Sequence, residues 1–188
     1  MATPPDFSSG AVLTAAQMNA VGMWKITSGT VTSGSSFDLT SVFTSDYDSY
    51  KLVLTQIRTN ASGGSIQLRM LASGTPAITG YYWGVTRADI AANVINVSVG
   101  NNAAQFDTQA IQNGAVSGMM TCEIHSPVAT QYTSLNGQSV DSRLAGAYGG
   151  ISWSGQLGDT TSYNGIRILL STATTFTNCN YKLYGYRN

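Results

Sequence analysis

From Lys25 onward the chain alternates apolar and polar residues in short runs, and clusters of Gly, Ser, Asn and Asp separate the runs. Period-two alternation of this kind predicts half-buried β-strands rather than helices. The strongest run covers residues 50–57, with Tyr50, Leu52 and Leu54 on one face and Lys51 and Thr55 on the other. After the turn at 60–64, Ile66, Leu68 and Met70 point one way and Gln67 and Arg69 the other, so the two runs read as a hairpin. Further strands are marked by Ile26 and Val31, by Phe37 to Leu39, by Tyr81-Tyr82-Trp83, and by Ile95, Val97 and Val99. A short one is placed around Phe106. Met120, Cys122 and Ile124 restore a buried face, and 130–140 is a mostly polar strand through Tyr132, Ser134 and Asn136. Residues 147–154, then Ile166, Ile168 and Leu170, then 180–186 complete the series. Eight to eleven short strands at this spacing predict an all-β fold, an antiparallel β-sandwich of jelly-roll type.

The first 24 residues follow different rules. Pro4-Pro5 fixes an extended entry, because proline locks φ and pushes the preceding residue out of the helical region. Thr14 and Gln17 form a T-x-x-Q capping box, Leu13 and Met18 stand at the positions of a hydrophobic staple, and Gly22 supplies a stop. The expectation is an extended arm and one helix of about two turns, shorter than the roughly 12–15 residues an isolated helix needs. Such a helix persists only when docked. Two units follow: residues 1–24 as a docking segment carrying Phe7, Leu13, Thr14, Gln17, Met18, Val21 and Trp24, and residues 25–188 as the β body.

Composition narrows the function. Only 10% of the 188 residues are charged, and nine Lys and Arg balance nine Asp and Glu. No net field draws nucleic acid or an anionic membrane. A near-zero net charge also favours association. The opening residues lack the basic and apolar regions of a secretory signal, and no apolar run approaches the ~18–20 residues of a helical membrane span. Cys122 and Cys179 match no metal-ligand spacing and read as buried thiols. His125 and Glu123 share a strand face, a pair that can act as base and orienter but lacks a nucleophile motif beside it. Asp46 and Asp48 read as a turn rather than a calcium loop. No cofactor, metal or catalytic residue is expected, and the chain reads as non-enzymatic.

Aromatic rings among Gly, Ser and Asn are the composition of recognition loops and of subunit interfaces alike. In residues 148–164, Trp153, Tyr148 and Tyr163 offer flat faces for a sugar, Asp159 and Asn164 supply polar groups, and Gly149, Gly150, Gly155 and Gly158 allow close approach. This stretch is the candidate surface recognition site.

The opening PPDFSSGAVLTAAQMNAVGMW resembles the N-terminus of tailed-bacteriophage structural proteins, in which a D-F-x-x-G-x-x-L-T-A-A-x-x-N segment precedes a β-rich appendage. The run Tyr47-Asp48-Ser49-Tyr50-Lys51-Leu52-Val53-Leu54 is similar to a first strong strand of phage fibre-tip and decoration domains. The ending Tyr181-Lys182-Leu183-Tyr184-Gly185-Tyr186 is similar to their closing strand. These segments cover about a fifth of the chain. The resemblance implies a virion protein assembled in the host cytoplasm, self-associating as a homotrimer and attached to tail, portal-proximal or capsid proteins. A tail-associated fibre contacting a host surface glycan is the first expectation. A head fibre or capsid decoration protein is the alternative.

Overall fold

The structure, a computed structural model, describes residues 22–89, 92–112, 117–140 and 149–186. Every regular element among them is a strand: β1 (Met23–Val31), β2 (Ser36–Leu39), β3 (Ser49–Thr59), β4 (Gly64–Ala72), β5 (Thr75–Pro76), β6 (Tyr81–Asp89), β7 (Val94–Ala103), β8 (Phe106–Gln112), β9 (Gly118–His125), β10 (Thr133–Val140), β11 (Gly150–Leu157), β12 (Gly165–Leu170) and β13 (Phe176–Tyr186). The arm and helix expected of the opening segment lie outside the described residues.

The strands form two sheets, and every pairing is antiparallel. One sheet has eight strands in the order β1-β13-β3-β9-β10-β11-β6-β7. The other runs β2-β12-β4-β5, with β8 also on β4. Alternation explains how they meet. Tyr50, Leu52, Leu54, Met120, Cys122, Ile124 and Leu183 of the large sheet and Ile66, Leu68, Met70, Ile166 and Ile168 of the small one are all fully buried in a single core. Rings knit the two layers: Phe106 lies 5.2 Å from Trp153, and Phe37 lies 5.5 Å from Phe176 and 5.6 Å from Tyr181. Both cysteines are free and buried within this core. Removal from water pushes both thiols up, Cys179 to about 12.

One expectation fails. β3 and β4 are not a hairpin: β3 pairs with β13 and β9, whereas β4 pairs with β12, β5 and β8. The chain arches over the end of the core at residues 60–63, so Leu52 and Leu68 face the same interior from opposite sheets. Alternation alone cannot separate the two cases, because strands facing each other across a core show the same pattern as strands side by side. The tight hairpin is instead β4–β5. Ser73 and Gly74 there carry φ of 49° and 83°, as a two-residue primed turn requires.

Candidate functional site

The eight-stranded sheet turns one face to the core and the other to solvent. On the solvent face the register aligns side chains from five strands into rows. Thr121, Gln138, Ser152, Thr86 and Val97 stand opposite one another in turn across β9, β10, β11, β6 and β7. The next row is Glu123, Asn136, Ser154, Gly84 and Val99. Short side chains in the middle and a full glycine at position 84 leave a trough of about 660 Å³ along these rows. A second hollow of about 360 Å³ continues it past Gln138 and Ser152 toward Met119 and Val140. Volumes of this order are those of small-molecule and saccharide-sized sites, ~300–1,000 Å³.

The trough is chemically uniform. Among the described residues its one ionisable lining residue is Glu123, whose Oε1 accepts from Lys51 Nζ at 2.8 Å and from the Tyr186 hydroxyl at 3.2 Å. The bond to Glu123 holds the Lys51 ammonium above its ordinary range, and burial followed by the Glu123 charge raises Tyr186. The carboxylate is thus matched locally. Among the described residues, the side chains of Thr86, Thr121, Gln138, Ser152 and Ser154 carry no hydrogen bond to other parts of the chain. Five hydroxyl and amide groups therefore face the trough with their hydrogen-bonding capacity unspent.

One end of the trough holds a connected trio. With His125 Nε2–H donating to Asn136 Oδ1 at 3.2 Å, Nδ1 accepts from the Ser49 hydroxyl at 3.0 Å. That is the order of nucleophile, base and orienter. Acyl transfer also needs backbone N–H donors aimed at a developing oxyanion. Here β3, β9 and β10 are each flanked by strands on both sides, so their amides are committed to the ladders. The trio reads as a polar clamp between strands. His125 and Glu123 do share the face opposite Cys122 and Ile124, as their spacing predicts, but they bond to different partners.

Compared with known proteins, the chain matches no family model, no curated protein and no solved structure.

The aromatic recognition stretch is rearranged by the fold. Trp153 lies inside β11, not in a loop, and is 3% exposed. Its ring packs on Phe106 and its Nε1 donates to Ser139 Oγ at 3.1 Å. Tyr163 is equally buried, and its hydroxyl donates to Asp159 at 2.8 Å. Burial, reinforced by that bond, raises Tyr163 to about 12. Asp159 is further engaged by the Thr161 amide. Asn164 is a structural pin: its Oδ1 accepts from the Ser73 amide, and its carbonyl accepts from Val42 and Phe43. The two rings are buried and present no flat face to a ligand. Asp159 and Asn164 are half-buried and tied to the chain by these bonds, with Asp159 at the edge of a separate hollow of about 320 Å³ beside Ala77 and Thr161. The correction has a simple cause: isolated rings among glycines are also what a core needs where two sheets close. Tyr148 lies outside the described residues, as do Phe7, Leu13, Thr14, Gln17, Met18 and Val21. Trp24 is half-buried in β1, and its indole N–H is buried without a partner among the described residues.

Sequence reasoning missed the trough residues, although a signal existed. Ser134, Asn136 and Gln138 in β10, and Ser152 and Ser154 in β11, are the outward positions of adjacent strands, and all are small or neutral.

Proposed function

We propose that this chain is a non-enzymatic virion structural protein, a tail-associated appendage that docks through its N-terminal segment and displays its β body to a neutral glycan on the host surface. The observation that carries the recognition part is the trough, where hydroxyl and amide groups are free and the one charge is already matched. Such a surface suits an uncharged polyhydroxyl ligand, whose many hydroxyls need donors and acceptors rather than counter-ions. Docking by a short arm and helix, and assembly with other virion proteins, rest on the resemblance of the opening segment.

We also read the architecture as a jelly roll with two insertions. The order β1-β13-β3-β9 in one sheet and β2-β12-β4-β8 in the other is the pair of four-stranded sheets that two nested Greek keys produce. The remaining strands of the large sheet, β10-β11-β6-β7, come from the connections β4-to-β8 and β9-to-β12. The trough lies almost wholly on these added strands. An embellishment that widens one sheet beyond the basic fold is where a specific task is most economically placed.

A capsid decoration role is the second reading, favoured by the exposed aliphatic side chains of β7, which suit contact with protein. Glycan binding separates the two. The intact protein is expected to bind at least one neutral polysaccharide in a panel of glucans, galactans, mannans and anionic polymers, measured by affinity electrophoresis. Ser154→Trp, which fills the trough from an exposed position, should abolish that binding and leave the melting temperature unchanged. Retardation by no neutral polymer would remove the recognition reading and leave decoration.

A further inference from the structure

β7 is the outermost strand of the large sheet, and among the described residues no strand pairs with its far side. Open edges are normally guarded by Lys, Pro, a bulge or brevity. This one has ten residues, with no charge and no proline, and its one register shift against β6 lies beyond Gly100, away from Val97. Its register with β6 places Ile95, Val97 and Val99 on the solvent face, where they are 72%, 70% and 76% exposed. Three aliphatic side chains in a row on an open edge without charge or proline form a surface that water does not favour.

The pattern also names the partner. Read outward from Val97, the strand is nearly symmetric: Asn96 and Ser98, then Ile95 and Val99, then Val94 and Gly100. An antiparallel partner with the same sequence, paired at Val97, sets aliphatic on aliphatic on one face and Asn on Ser on the other. No like charges meet, since the strand has none. A shift of one residue would oppose aliphatic to polar along the whole strand. We infer that β7 pairs with β7 of a second copy of this chain, antiparallel about a twofold axis through Val97, joining two eight-stranded sheets into one of sixteen. Such a contact is isologous, so the same strand serves both sides and the assembly closes. Val97 lines the trough, so the two troughs would meet at the axis. The inference holds whether or not the protein belongs to a virion. It can coexist with a threefold contact elsewhere, which would give six copies rather than three.

The test uses the full-length chain at micromolar concentration. Sedimentation should give two or six copies, and Val97→Lys should halve that number without changing the far-ultraviolet spectrum, because the side chain is exposed. Directly opposed partners in an antiparallel pair have Cα atoms about 4.5–5.5 Å apart, within disulfide reach. Under mild oxidation Val97→Cys alone should therefore give a covalent dimer. Ile95→Cys alone should not, while a mixture of Ile95→Cys and Val99→Cys chains should. The native thiols are buried and will not contribute. A monomer or a trimer, an unchanged mass for Val97→Lys, or cross-linking through Ile95→Cys alone would each overturn the inference.

Discussion

Trp153 shows how one residue can be read two ways from sequence. Set among Gly and Ser, it fits a recognition loop, yet the fold buries it against Phe106 with its N–H on Ser139. Truncating a buried Trp costs about 3–5 kcal/mol, and for a chain of this size that lowers the melting temperature by roughly 6–20 °C. Trp153→Ala should therefore melt well below the wild type. A Trp153→Ala protein that melts like the wild type would return the ring to the surface. The core aliphatics were legible from alternation alone, as Leu52, Leu54, Met120 and Ile124 illustrate. Rings and glycines were not. A lone Trp in a glycine-rich stretch carries no period from which its facing can be read, and its face is fixed only by the register of β11 on β10 and β6.

At the scale of elements, strand existence was well marked and strand partnership was not. The large sheet joins β3 to β13 and β6 to β11, pairs far apart in sequence, which local patterns do not encode. Two glycines show the same dependence. A Cβ on Gly137 of β10 would strike the Thr121 carbonyl and the Trp153 ring, whereas one on Gly84 of β6 would meet nothing within 4 Å. Gly137→Ala should thus cost about 1–3 kcal/mol through overpacking. Gly84→Ala should change stability by less than about 1 kcal/mol. Denaturant unfolding of both variants checks this, and equal effects would mean that the packing of β10 against β11 is not as described. β7 was legible as a strand from Ile95, Val97 and Val99, but its alternation is inverted, apolar side outward. Sequence gives the period and not its sign, which only the neighbouring β6 determines.

For the whole molecule, the large sheet divides into two halves, β1-β13-β3-β9 and β10-β11-β6-β7. Strands of both halves bury their inner face in the core, as Leu52 and Leu183 do in one and Leu135 and Trp153 in the other. The trough lies on the outer face of β9, β10, β11, β6 and β7. Met23 opposes Tyr186 at the sheet end that also holds Ser49 and His125. The most direct test is a cryo-electron microscopy map of particles purified from cells that produce this chain, with the described β body fitted into the density. The account predicts that the chain is present, that density joins the particle at the Met23 end, and that the trough faces away from the particle into solvent. A particle preparation lacking the chain, or a β body whose trough is pressed against the particle, would contradict it.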